Sequence, residues 1–254
     1  MTSLIQLTIR YVPRIFLQPL AGITSRFLAI AYRGNNYECN ICNLRFRKLL
    51  SHGRLKPRDN ALCPNCLSLE RHRLLWLFLK NRTNFFDKQL KVLHFAPEIC
   101  FINPLSKQKN LEYCTADLES PWAKQKFDIQ DIPYPQNTFD VVICNHVMEH
   151  IPDDLKAMKE IFRILKPGGW AIIQAPQDLS LEVTYEDSSI TDPFEREKAF
   201  GQSDHLRLYG KDYGKRLKQA GFKVTEDDFA KKLDHELINR FCLLEDEIIY
   251  YCQK

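Results

Sequence analysis

Phe139-Asp-Val-Val-Ile-Cys-Asn-His-Val-Met-Glu-His-Ile151 is the stretch that decides the fold. Its first half, Phe139 to Cys144, is an apolar run long enough for one buried parallel strand. Asn145, His146, Glu149 and His150 follow it directly. In open α/β sheets ligands sit just outside the carboxyl ends of the strands, so chemistry is expected at these four residues. Downstream, Asp153 to Leu165 has the period of an amphipathic helix, with Leu155, Met158, Ile161, Phe162 and Leu165 on one face. Gly168-Gly169 is expected to stop that helix. Trp170 to Pro176 reads as the next strand.

The same alternation extends in both directions. Lys91 to Phe95 reads as a first strand, with Ala96-Pro97-Glu98 as its turn. Leu111 to Asp117 reads as a second strand and Lys126 to Ile129 as a short third. Asp131 to Thr138 is a loop rich in turn residues. Tyr213 to Ala220 reads as a helix capped by Gly221. Phe222–Phe229 and Glu247–Cys252 read as closing strands.

Phe139-Asp-Val-Val, Asn145-His-Val-Met-Glu-His150 and Leu165-Lys-Pro-Gly-Gly169 together resemble the class I S-adenosylmethionine (SAM)-dependent methyltransferases, closest to methyltransferase type 11. The resemblance covers about residues 90–254. It implies a Rossmann-like α/β fold with a mostly parallel seven-stranded sheet and an antiparallel last strand. It also implies SAM as cofactor and methyl transfer to an O, N or C atom. The turn after the first strand, Phe95, Ala96, Pro97 and Glu98, takes the place of the family's glycine-rich turn, and Glu98 is a candidate for the SAM ammonium. Asp117, just past the second strand, suits the ribose hydroxyls, because a carboxylate can accept two hydrogen bonds from a diol; a turn role competes. Family resemblance places Asp128 and Ile129 at adenine, and Asn145 and His146 at the methionine end.

Residues 177–209 interrupt the alternation, and long irregular connections of this kind are often lids. His205, Arg207 and Tyr209 alternate, so an extended chain would put them on one side. His150 and His205 are the candidate catalytic residues, as bases near neutral pH. A hydrogen-bonded structural histidine is the competing reading. Glu149, Tyr185, Arg207 and Tyr209 are the candidate acceptor contacts, with a salt-bridged loop as the alternative.

A second signal stands upstream. Cys39-Asn-Ile-Cys42 and Cys63-Pro-Asn-Cys66 are paired C-x-x-C knuckles separated by twenty residues. Four thiolates at this spacing read as a closed, structural zinc site, Cys39, Cys42, Cys63 and Cys66. Arg45, Arg47, Lys48, Arg54, Lys56 and Arg58 run between the knuckles, interleaved with Phe46 and His52. Residues 67–81 read as a helix, with Ser68 as its N-cap. The expected domains are an apolar and basic segment over 1–34, a zinc ribbon with its docking helix over 35–88, and the methyltransferase domain over 89–254.

Composition bounds the partners. Residues 1–90 hold 15 Lys+Arg against 4 Asp+Glu, net +11, while the remainder holds 21 against 28, net −7. The basic part suits a solvated face, a phosphate-bearing partner or an anionic membrane surface. A small-molecule acceptor is the first expectation. A nucleic-acid-binding zinc ribbon, with an RNA methyltransferase or a non-catalytic methyltransferase-like scaffold, is the alternative. Peripheral membrane contact through residues 1–34 is compatible with either. Five scattered cysteines beside the four-cysteine set suit a reducing, cytoplasmic setting. No apolar run reaches the length of a membrane span, and no signal peptide is read.

Overall fold

The computed structural model describes residues 27–53 and 57–254. Most of the 1–34 segment, with its expected membrane contact, therefore lies outside the described residues, as do Arg54 and Lys56. In chain order the first elements are β1 (Arg33–Cys39), β2 (Leu44–Phe46), β3 (Leu50–His52), β4 (Arg58–Leu62), α1 (Glu70–Arg82) and β5 (Leu90–Phe95). Next come α2 (Ile99–Ser106), β6 (Leu111–Ala116), β7 (Phe139–Asn145), α3 (Asp154–Ile164) and β8 (Leu165–Gln174). The insertion carries β9 (Tyr185–Glu186), α4 (Pro193–Phe200) and β10 (Arg207–Leu208). The chain finishes with α5 (Tyr213–Gln219), β11 (Lys223–Asp227), α6 (His235–Phe241) and β12 (Ile249–Gln253). Among the described residues no helix is long and apolar enough to cross a membrane.

The chain forms two compact units. The larger comprises Asn84–Glu98, Leu105–Phe229 and Ile248–Lys254. Its sheet has six strands in the order β11-β12-β8-β7-β5-β6. The β6/β5, β5/β7 and β7/β8 pairs are parallel, and β12 runs antiparallel to both neighbours. This is a Rossmann-like sheet with its last strand reversed. β7 is buried along nearly its whole length, as a central parallel strand must be. α3 starts where the Asp153 carboxylate accepts the Lys156 amide at 2.8 Å, and it buries Ala157, Met158, Ile161 and Ile164.

Two local expectations in the larger unit are corrected. Lys126–Ile129 forms no strand, and only one bridge, Gln125 with Ala116, extends the sheet there. The Asp128 carboxylate accepts the Gln130 amide at 2.8 Å and the Asp128 carbonyl accepts Asp131 N–H at 3.1 Å, so a turn begins where the strand was expected. Nor do Gly168 and Gly169 stop α3. That helix ends at Ile164, and β8 begins at once with Leu165. The glycines occupy an irregularity within β8, between the Phe139–Leu165 and Val141–Trp170 pairs.

The smaller unit carries the cysteine knuckles and comprises the described residues up to Thr83, with Ile99–Pro104 and Ala230–Glu247. β1 pairs with β2, and β3 with β4, both antiparallel. Arg73 of α1 is fully buried and donates to the carbonyls of Ala61, Ser68, Phe241 and Cys242 at 2.6–3.0 Å. One guanidinium thus joins β4, the second knuckle and the end of α6. Arg240 of α6 is bonded to Glu38 of β1 at 2.6 Å. Ser68 is not the N-cap of α1. Leu69 holds that position, and the Ser68 hydroxyl lies 3.3 Å from Cys39 Sγ and 3.2 Å from Cys66 Sγ.

Candidate functional site

Parallel register gathers the candidate donor residues at one edge of the larger unit. Phe95 is paired with both Cys144 and Ala116, and Asn145 with Gln174. The turns after β5, β6 and β7 therefore leave the sheet side by side. Two of them reverse through left-handed backbone on non-glycine residues, Ala96 at φ 45° and His146 at φ 53°. That conformation costs about 1–2 kcal/mol per residue. It is fixed in place by Ala96 N–H to the Ala116 carbonyl at 2.9 Å and His146 N–H to the Gln174 carbonyl at 2.7 Å. Ala96 thus reaches the conformation that a glycine would supply.

Glu98 is the focus of this edge. His94, fully buried in β5, lies 2.6 Å from Glu98 Oε2 through Nε2 and 2.8 Å from the Tyr113 hydroxyl through Nδ1. Asn145 Nδ2 donates to Glu98 Oε1 at 3.1 Å, while the buried Asn145 Oδ1 has no hydrogen-bond partner. The His94–Tyr113 support is a feature that sequence reasoning missed; its signal was a lone histidine inside an apolar strand.

The other donor candidates are placed less uniformly. Asp117 uses Oδ1 to accept the amides of Glu119 and Ser120, the turn role weighed against ribose binding. Asp128 is bonded to its neighbour Gln130, and Ile129 is buried. Phe95 is a core side chain stacked edge-on against Phe127, and Pro97 is buried beside it.

Beyond Asn145 the chain makes a single 3-10 turn, Met148–His150, and the insertion closes on it. Arg207 donates to the carbonyls of Met148, Ile151 and Pro152 at 2.6–2.9 Å, and to Glu186 at 2.8 Å. Tyr209, fully buried, donates to Asp154 at 2.7 Å. These two side chains hold the turn and the start of α3, so their visible work is structural. His205, by contrast, is brought against His150, with ring centroids 4.8 Å apart. His150 donates from Nδ1 to the Asp204 carbonyl at 3.2 Å, and His205 from Nδ1 to the Phe200 carbonyl at 3.0 Å. Burial pushes the His205 imidazole below its ordinary pKa. The Glu149 carboxylate is 1% exposed and lies 3.5 Å from His146 Nδ1 and 4.0 Å from His150 Nε2. Tyr185 is exposed on one side and packs its ring 5.5 Å from Phe200.

In the smaller unit the four knuckle sulfurs converge within 4.8 Å of one another. Cys39 and Cys66 are 3.5 Å apart, and Cys42 and Cys63 are 3.8 Å apart. Four sulfurs about 2.3 Å from a tetrahedral zinc stand about 3.8 Å apart, so the spacing fits that ion. Hydrogen bonds within the cluster, that of Cys42 first, hold the Cys39 thiol well below its ordinary pKa, while that of Cys39 pushes Cys66 up. All nine cysteines of the chain are free of disulfides.

A family model described as a methyltransferase domain matches residues 94–227. Cycloartenol-C-24-methyltransferase of Arabidopsis thaliana is 34% identical over 113 residues, 42% of this chain and 31% of that protein. A ubiquinone/menaquinone biosynthesis C-methyltransferase of Cronobacter sakazakii is 33% identical over 64 residues, 25% of this chain and 21% of that protein. The matches thus span a third or less of these relatives. A crystal structure of a SAM-dependent methyltransferase from Archaeoglobus fulgidus aligns with a TM-score of 0.47 at 15% identity, over 71% of this chain and 93% of that one.

Proposed function

We propose that this chain, a member of the methyltransferase-domain family, is a SAM-dependent methyltransferase in which the turns after β5, β6 and β7 hold SAM and residues 177–209 present a small, largely apolar acceptor. The observation that carries the donor half is the pairing of Glu98 with Asn145 at the sheet edge. A carboxylate and an orphaned amide oxygen side by side suit an ammonium, which has three donors and no acceptor. His94 fixes the rotamer of Glu98, and Phe95, Ala96 and Pro97 supply the close backbone. Asp117 suits the ribose, with Asp128 and Ile129 toward adenine. SAM supplies a methyl group already activated on a positive sulfur. The protein's remaining task is to fix donor and acceptor in line, which can supply much of the rate.

The acceptor half is supported by the insertion's surface. Leu179, Val183, Tyr185 and Phe194 are 47%, 68%, 42% and 64% exposed. Large apolar side chains left in water suit an apolar ligand. The cysteine cluster is the proposed holder of a structural zinc, because four thiolates fill a tetrahedron and leave no position for substrate.

Calorimetry on the purified, zinc-containing protein tests the donor half. Glu98→Gln should weaken SAM binding by about 10- to 100-fold, the effect of losing a hydrogen bond to a charged group. Undiminished affinity in that variant would sink the assignment. Incubation with methyl-labelled SAM and fractionated cell extract tests the acceptor. Label is expected in the organic-soluble small-molecule fraction, and label confined to RNA or protein would overturn it.

A further inference from the structure

We propose that Glu149, His150 and His205 form a second metal site, for a divalent first-row ion held by two imidazole nitrogens and one carboxylate. The three donor groups lie within 4.8 Å of one another, in the larger unit and apart from the cysteines. Each histidine is pinned through Nδ1 to a backbone carbonyl, Asp204 for His150 and Phe200 for His205. This arrangement fixes the tautomer and leaves Nε2 as a lone-pair donor, as is usual for metal-bound histidine. Two atoms of these side chains are buried without a hydrogen-bond partner, His205 Nε2 and Glu149 Oε2. Their residues are only 2% and 1% exposed. Among the described residues, the ion-pair neighbours of Glu149 are His146 and His150, with no lysine or arginine. A cation would satisfy both orphaned atoms and the buried carboxylate together.

Nitrogen and oxygen ligands about 2.1 Å from an ion stand about 3.0–3.4 Å apart. The donors must therefore close by about an ångström. His150, whose side chain is one-third exposed, has room to move. Two imidazoles and one carboxylate form a set that suits zinc or iron-type ions and leaves coordination positions open. His146 Nδ1, 3.5 Å from Glu149 Oε1, is placed to orient the carboxylate. The site follows Asn145 by four residues, so an oxygen atom of the acceptor is the natural occupant of an open position. That last step rests on the SAM reading; ion binding itself does not.

Equilibrium dialysis of the full chain against zinc, without SAM, tests the site. The unmodified protein should hold two equivalents, one on the cysteines and one here. His150→Ala, Glu149→Gln and His205→Ala should each retain the first and bind the second at least tenfold more weakly. His150→Ala, at a partly exposed position, is the variant expected to fold unaltered, and its melting curve without added metal checks this. One equivalent in the unmodified protein, or a second equivalent untouched by His150→Ala, would overturn the proposal. SAM calorimetry on the same preparations reads the donor site separately, so failure of one assignment leaves the other distinguishable.

Discussion

Asp154 shows how much one buried carboxylate can organise. Burial alone would raise its pKa, but hydrogen bonds from Arg216 and Tyr209, with the charge of Arg207, outweigh burial and hold it below the ordinary aspartate range. A carboxyl depressed in the folded state stabilises the protein above its unfolded pKa, and that contribution is lost as pH falls through the folded value. Acid unfolding of the native chain should therefore steepen below about pH 4. Asp154→Asn should flatten that limb and cost about 2 kcal/mol at neutral pH, since it weakens the hydrogen bonds that Arg216 and the buried Tyr209 hydroxyl make to this carboxylate. Denaturant melts across pH would check both, and parallel curves for the two proteins would refute the account. At this scale the sequence is a partial guide. Glu98 is bonded to Asn145, and Glu149, His150 and His205 form a cluster of their own within 4.8 Å of one another. Arg207 and Tyr209 are legible as a pair with one orientation, but alternation cannot tell a residue facing a ligand from one facing carbonyls. Only the fold reveals that Arg207's targets are the backbone of residues 148–152.

At the scale of elements, the two glycines of Leu165-Lys-Pro-Gly-Gly169 are not equivalent. Gly168 has φ 77° and open space where a side-chain methyl would stand, whereas at Gly169 such a carbon would lie 2.9 Å from the carbonyl oxygens of Asp140 and Lys166. Gly168→Ala should cost about 1 kcal/mol, the penalty of left-handed backbone. Gly169→Ala should cost more, because neither colliding group is a flexible side-chain end. Thermal melts that ranked the two variants the other way would contradict this reading of β8. The periodicities of β7, α3 and β8 are readable because burial on both strand faces and one helix face leaves an unmistakable apolar spacing. The expected third strand fails for a physical reason. Phe127 and Ile129 alternate as a strand would, yet Asp128 and Gln130 close a local turn whose bonds compete with a ladder. The glycine pair misleads because glycine signals left-handed backbone without saying whether a helix end or a strand irregularity demands it.

Over the whole molecule, the paired knuckles and the α/β alternation can be recognised separately, but their boundaries cannot. Nothing in residues 230–247 advertises membership in the unit that holds the cysteines, because Arg73 reaches backbone carbonyls, which leave no trace in side-chain identity, and the Arg240–Glu38 pair joins residues 202 positions apart. Arg73 is the key to that link. Arg73→Met should destabilise the cysteine-bearing unit by about 3–5 kcal/mol, as several buried acceptors lose their donor at once. Hydrogen exchange would register the loss in α6 as well as in α1, and a change confined to α1 would argue against it. A cloning boundary drawn after Thr83 would capture every knuckle thiol yet sever the polypeptide from the Phe241 and Cys242 oxygens on which the Arg73 fork closes. Such an excised piece should behave as an insoluble or half-ordered peptide even when supplied with zinc.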